Sequence, residues 1–231
     1  MKKLQDLLEG RELKAILFDL DGTLIDSVPD LAAALDASLE QLNYTPAGLA
    51  RTRSWVGNGA RKLVQRALAH ALEIPEKSVS SALIDQLLTV FFGYYGEQSC
   101  EQTVLYPGVN SALLSWHGQG VRMACVTNKP ARFSQPILKH FDMDVFMPVL
   151  IGGDTLSVRK PDPAPLLLAC KQLGVDVANT VMVGDSVNDV RAARAAGMPV
   201  ACVSYGYNHG APVADENPDL LVDHFSDLLA N

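Results

Sequence analysis

The sequence is short of cations, of cysteine and of long apolar runs, and each shortage excludes a class of function. Lys and Arg number 19 against 26 Asp and Glu, so 231 residues carry a net charge of −7. A nucleic-acid groove needs clustered Lys and Arg to meet phosphates, and no such partner is expected. The four cysteines, Cys100, Cys125, Cys170 and Cys202, are far apart and form no Cys-x-x-Cys pair. No His stands near them at ligand spacing, which argues against zinc. The apolar runs around Cys125, Cys170 and Cys202 predict small buried hydrophobes. No window approaches ~20 uninterrupted apolar residues, so a membrane span is not expected. Lys2 and Lys3 open the chain, but Gln5, Asp6 and Glu9 interrupt any apolar stretch. A signal peptide is therefore not expected, and the chain reads as cytoplasmic. Charged residues make up only 19% and apolar residues 48%, with 17 Gly and 13 Pro. That balance excludes a disordered chain, a collagen-like repeat and a coiled coil, and it suffices for a sizeable core.

Strand-length apolar runs recur, each followed by a helical pattern. They are Ala15 to Phe18, Val121 to Val126, Phe146 to Ile151, Thr180 to Val183 and Val200 to Val203. Helical patterns cover Val109 to His117, Pro130 to Phe141, Pro163 to Leu173 and Ser186 to Ala196. Near-continuous apolar strands alternating with helices predict an α/β fold, a parallel sheet covered on both faces. The stretch from Val28 to Glu101 breaks that rhythm, with helical patterns over Pro29 to Leu42, Ala60 to Leu72 and Ser80 to Tyr95. The expected organisation is an α/β core from residues 1–27 and 106–231, and an all-helical insert from 28–105. Connections at Ser27-Val28 and Glu97 to Tyr106 would let that insert move as a lid.

Ligands in open parallel α/β sheets bind beyond the carboxyl ends of the strands. Strand one ends in Asp19-Leu20-Asp21-Gly22-Thr23, the Val121 strand in Thr127-Asn128-Lys129, and the Thr180 strand in Gly184-Asp185-Ser186, with Asn188-Asp189 just after. The loop after Ile151 reaches Arg159-Lys160-Pro161. A single Asp in such a place is ordinarily a turn residue or helix cap. A set of carboxylates closing apolar strands repels itself unless a cation offsets it. Mg²⁺ beside a phosphate meets that need. Lys160, the Thr127 hydroxyl and main-chain N–H groups of the Asp21-Gly22 loop would then hold phosphate oxygens. One carboxylate can attack phosphorus, and a second, two residues on, can protonate the leaving oxygen.

Asp19-Leu20-Asp21-Gly22-Thr23-Leu24, Thr127-Asn128, Lys160-Pro161 and Gly184-Asp185-Ser186-Val187-Asn188-Asp189 resemble, in order, the four motifs of the haloacid dehalogenase superfamily. The resemblance implies a doubly wound parallel-sheet core with a small helical cap inserted after the first strand. Asp21 at the second acidic position matches phosphatases and mutases rather than dehalogenases. By that likeness Asp19 is the nucleophile and Asp21 the general acid/base. Asp19, the Asp21 carbonyl and Asp185 would ligate Mg²⁺ and Asp189 would support them, while Thr127, Asn128 and Lys160 would bind the phosphoryl group. The segments Asp26 to Leu31, Trp55 to Ala60, Ile151 to Thr155 and Tyr205 to Gly210 resemble the bacterial branch that hydrolyses 2-phosphoglycolate to glycolate and phosphate.

Gly57, Asn58 and Arg61 are candidate specificity residues: a helix N-terminus and one basic side chain could meet a substrate carboxylate. A plain loop followed by a solvated basic face reads equally well. Phe91-Phe92 and Tyr94-Tyr95 are expected to pack the cap. Three alternatives to a phosphoglycolate phosphatase-type reaction stay open: hydrolysis of another small phosphorylated metabolite, a sugar phosphomutase, and a phospho-accepting regulatory module. The oligomeric state is not readable.

Overall fold

The computed structural model describes residues 4–229. Its sheet is built from β1 (Ala15–Phe18), β4 (Arg122–Val126), β5 (Val149–Ile151), β6 (Thr180–Gly184), β7 (Val200–Val203) and β8 (Leu220–Val222). These six strands are parallel in the order β5-β4-β1-β6-β7-β8. The site-bearing strand β1 is central, with Phe18 level with Cys125 of β4 and Val183 of β6. All three strands therefore end at the same height.

Side chains alternate between the two faces, as a period of two requires. Ile16, Phe18, Met123, Cys125, Val181 and Val183 join one buried cluster, completed by α5 (Val109–Gly118) and by Ile137 and Leu138 of α6 (Ala131–His140). Ala15, Leu17, Ala124, Val126 and Met182 join the other, under α7 (Ala164–Leu173) and α8 (Val187–Ala196). Gly174 (φ 66°) and Gly197 (φ 69°) end α7 and α8 in the left-handed conformation that costs a glycine least. Cys125, Cys170 and Cys202 are buried and unpaired, as their apolar settings predict.

Four helices form the insert: α1 (Val28–Gln41), α2 (Leu49–Trp55), α3 (Ala60–Ala71) and α4 (Ser81–Gln98). Leu31, Ala34, Leu35 and Leu39 supply the predicted apolar stripe of α1, packed with Leu63, Leu68, Leu87 and Phe91 in a third cluster. Phe133, from α6 of the sheet layer, enters this cluster too. The chain passes into and out of the insert through a two-stranded antiparallel ribbon, β2 (Ile25–Asp26) with β3 (Val104–Leu105). Asp30 fastens the return: its carboxylate accepts hydrogen bonds from Gln102 N (2.8 Å), Thr103 N (2.9 Å) and the Thr103 hydroxyl (2.5 Å).

The sequence patterns miss α2, the β2–β3 ribbon and β8, and they overextend β5. Helix α2 buries only Thr52, so it has no apolar stripe to read. Strand β8 is a short edge strand with Leu221 40% exposed. The predicted run from Phe146 becomes strand only at Val149, after Pro148, which has no N–H for a ladder.

Candidate active site

Strand β1 delivers Asp19 to the sheet edge, where its N–H donates to Val183 O and its Oδ1 accepts from Leu20 N at 2.7 Å. Lys160 Nζ lies 3.0 Å from Asp19 Oδ1 and 2.7 Å from Asp189 Oδ1, and it also donates to Val126 O at 2.7 Å. Burial opposes the Lys160 charge, but Asp189 and Asp19 outweigh it and raise the pKa above that of an ordinary lysine. Burial likewise pushes the Asp19 carboxyl up to about 6, against the pull of Lys160 and with a push from Asp189. The Asp185 carboxyl is raised well above its usual range by burial, then by Asp189 and Asp19.

Asp185 is held by donors and walled by glycines. Its Oδ1 accepts from the Thr23 hydroxyl at 2.8 Å and its Oδ2 from Tyr207 N at 2.7 Å. A Cβ on Gly206 would stand 2.1 Å from Asp185 Cβ, and one on Gly22 2.4 Å from Asp185 Oδ2. Asp189 serves two readings at once. It completes a capping box with Ser186 at the start of α8, and it partners Lys160. Its Oδ2 also accepts from Asp185 N and Ser186 N, so both oxygens are committed.

One carboxylate oxygen from each of Asp19, Asp185 and Asp189 lies within 4.8 Å of the other two. Three buried carboxylates thus cluster beside one ammonium, Lys160, which pairs with Asp19 and Asp189. The hard oxygen donors and the uncompensated negative charge fit a divalent cation. Asp19 and Asp185 have lone pairs to offer it, since each Asp185 oxygen accepts only one hydrogen bond, while Asp189 accepts three at Oδ2 and holds Lys160 at Oδ1.

Asp21 lines the cavity beside this cluster. Its Oδ1 accepts from Lys129 Nζ at 2.7 Å and from the Ser27 hydroxyl. Ser27 is the N-cap residue of α1, yet its side chain makes no cap bond and is spent on Asp21 instead. Thr127 and Asn128 line the same cavity. The two Asn128 amide hydrogens go to Gly57 O and Lys160 O, each at 3.0 Å, so its side chain has no donor left for a phosphate. Asn188 also donates to Gly57 O, at 3.2 Å. These two core amides clasp the cap loop. The Gly22 N–H, expected to meet phosphate, donates to Ile25 O at 2.9 Å inside the turn.

The cavity measures about 50 Å³ and its roof is apolar: Leu31, Val56, Leu63, Phe91 and Phe92 from the cap. Of the specificity candidates, Gly57 lines it. Asn58 turns away to accept from Arg66 at 2.9 Å. Arg61 points outward, ion-paired with Asp85 on α4, with 45% of its side chain exposed.

A family model for haloacid dehalogenase-like hydrolases matches residues 13–197. The chain belongs to that family. Among the haloacid dehalogenase-like proteins it resembles is one called phosphoglycolate phosphatase from Pseudomonas syringae pv. tomato, 47% identical over 99% of this chain and 83% of its own length. A phosphoglycolate phosphatase of Psychrobacter arcticus is 46% identical over 93% of both chains. A solved structure described as a predicted phosphoglycolate phosphatase from Haemophilus somnus superposes with a TM-score of 0.89 at 40% identity, covering 95% of this chain and 97% of its own. Among the described residues no helix is long and apolar enough to cross a membrane.

The site also uses Thr23 and Asn188, which lie inside the four motifs, and Ser27, Lys129 and Tyr207, which lie outside them; the sequence alone assigned a role to none of the five. Lys129 carried a local signal, a cation directly after the Thr127-Asn128 strand end. Its partner Asp21 is 108 positions away, which no local pattern reveals. Tyr207 links hinge to floor: its N–H serves Asp185, while its hydroxyl donates to Asp26 at 2.7 Å and accepts from Ser27 N at 3.1 Å.

Proposed function

We propose that the chain hydrolyses 2-phosphoglycolate to glycolate and phosphate through a phosphorylated Asp19. The observation that carries this reading is the pair of carboxylates, Asp19 and Asp21, opening into one cavity of about 50 Å³. That volume is small beside the ~300–1,000 Å³ of pockets for drug-sized ligands, and it favours a short substrate over a sugar phosphate. The substrate is that of the relatives called phosphoglycolate phosphatase.

Asp19, desolvated and held by Lys160 and Leu20 N, is the carboxylate that attacks phosphorus. As the phosphorus–ester oxygen bond breaks, Asp21 delivers a proton to that oxygen and glycolate leaves. Asp21 then takes a proton from water as the water oxygen attacks the aspartyl phosphorus, freeing phosphate and restoring Asp19. The Thr127 hydroxyl holds a phosphoryl oxygen through both steps, whereas Lys160, expected to do the same, spends its three donors on Asp19, Asp189 and Val126 O and instead positions Asp19 from beneath. Mg²⁺, held by Asp19, the Asp21 carbonyl and Asp185, would offset the charge of the carboxylates and the phosphoryl group. The apolar roof keeps other water away.

Phosphate release from a panel of small phosphomonoesters with Mg²⁺ tests the reading. We expect 2-phosphoglycolate to show the highest kcat/KM, chelation to abolish turnover, and Asp19→Asn to remove it. Turnover in Asp19→Asn would overturn the mechanism. A tenfold higher kcat/KM on another phosphomonoester, or isomerisation of a sugar phosphate without phosphate release, would overturn the substrate.

A further inference from the structure

One group in the cavity has no part in the chemistry above. Lys129 is 7% exposed, with its ammonium 2.7 Å from Asp21 Oδ1 and 4.8 Å from the ring centre of Tyr95. An ammonium has three donors and no acceptor, and Asp21 takes one of them. The buried Tyr95 hydroxyl has the Lys129 ammonium beside it and no further partner, and Tyr95 lines the same cavity. Unpaired polar atoms are costly in so apolar a place, which points to a ligand that completes them. Lys129 is also the only cation among the described residues lining the cavity. Lys160 is sealed beneath Asp19 and Asp189, Arg61 is paired with Asp85 on the outside, and Arg159 donates to Asn58 O.

We propose that Lys129, with the Tyr95 hydroxyl beside it, binds the substrate carboxylate and makes the site selective for a short phosphorylated acid. This rests on the reading above, in which Asp21 serves the leaving oxygen. In 2-phosphoglycolate the carboxyl carbon stands two bonds from that oxygen. An ammonium in hydrogen-bond contact with Asp21 therefore reaches the carboxylate without leaving its place. The apolar walls strengthen the attraction by excluding water. They also offer an uncharged substituent nothing in exchange for the donors it leaves unmet.

The test compares 2-phosphoglycolate with 2-hydroxyethyl phosphate, equal in length but neutral at the far end, using the Mg²⁺-loaded enzyme. Lys129→Met is expected to lower kcat/KM for the acid about 100-fold and for the neutral ester by less than about tenfold, with the difference in KM. Lys129→Arg should keep most of the preference, and Tyr95→Phe should lose about three- to tenfold on the acid alone. Equal losses on both substrates in Lys129→Met would show that Lys129 acts only through Asp21, and would overturn the proposal. Should that variant fail to fold, as judged by circular dichroism, Tyr95→Phe decides: an unchanged ratio between the substrates overturns it. A wild-type enzyme preferring a different phosphorylated acid would sink the glycolate assignment alone, and Lys129→Met would then be read on that acid. A wild-type preference for the neutral ester would sink both.

Discussion

The floor and the roof of the cavity are held together by opposite means. On the floor, buried Asp19, Asp185, Asp189 and Lys160 are linked by hydrogen bonds. Gly22, Gly184 and Gly206 press so close on these carboxylates that an added Cβ would approach one of their atoms to 2.4 Å or less. On the roof, Leu31, Val56, Leu63, Phe91 and Phe92 present no charge at all. A network of charges and fixed donors depends on every member, because one deletion strands the others in a medium that cannot solvate them. An apolar surface depends on area, and each side chain contributes its own increment. The floor can therefore define a reaction, while the roof defines dryness and size. Discrimination between substrates falls to the seam between them, where Lys129 and Tyr95 meet Asp21.

The contrast breaks most severely at Lys160. Lys160→Met removes the one ammonium facing Asp19 and Asp189 and leaves their buried charges unpaired. Breaking one partner of a buried pair costs about 3–5 kcal/mol. Turnover is expected to fall about 10³-fold, the scale of a lost oxyanion donor. Urea unfolding with and without Mg²⁺ checks the stability, and added Mg²⁺ should recover part of it. A variant as stable and as active as the wild type would show that the floor is not an interdependent network.

How much of this was legible in the sequence follows the same division. The strand ends were readable, because an apolar run that stops at Asp19 or at Asp185 is a local pattern and all the runs stop on one edge. The helical period of α1 was readable for the same reason. The pairings were not. Asp21 meets Lys129, Ser27 gives up its cap bond to Asp21, and Asn128 and Asn188 converge on Gly57, all through tertiary contact. Arg61 shows the reverse error. A basic residue one position into a helix after Gly57-Asn58-Gly59 has the right local chemistry, yet the turn of α3 aims it at Asp85. A helix pattern fixes which residues share a face, not which face looks into the cavity.

The roof should respond more gently. Phe92 lines the cavity and packs on Phe133, with ring centres 5.0 Å apart, and on Phe91, 5.9 Å away. Phe92→Ala would remove aromatic area from a half-buried position, so its cost should fall near ~1–3 kcal/mol, below a full core deletion. Water admitted above Asp19 should lower kcat/KM about tenfold for 2-phosphoglycolate and for 2-hydroxyethyl phosphate alike. That even loss is the counterpart of the uneven one expected from Lys129→Met. A loss confined to the acid would move discrimination from the seam into the roof.

The smallest effect is expected at Arg61, and it sharpens the boundary of the site. Its guanidinium reaches Asp85 across α3 and α4, with side chains 45% and 62% exposed. Exposed pairs of this kind contribute about 0–1 kcal/mol, because water screens them and two long side chains lose freedom to form them. Nothing of Arg61 lines the cavity, although its helix neighbours Ala60 and Leu63 do. Arg61→Ala should leave KM for 2-phosphoglycolate within about twofold of the wild type, and thermal unfolding close to unchanged. The measurement is most informative beside Lys129→Met on the same substrate pair. Lys129 lies inside the cavity on the sheet edge, and Arg61 lies outside it on the cap. If the inner one carries carboxylate recognition, the ratio of the two substrates moves with Lys129 and not with Arg61. A several-fold rise in KM for the acid alone in Arg61→Ala would mean that α3 turns its first basic side chain inward when substrate binds.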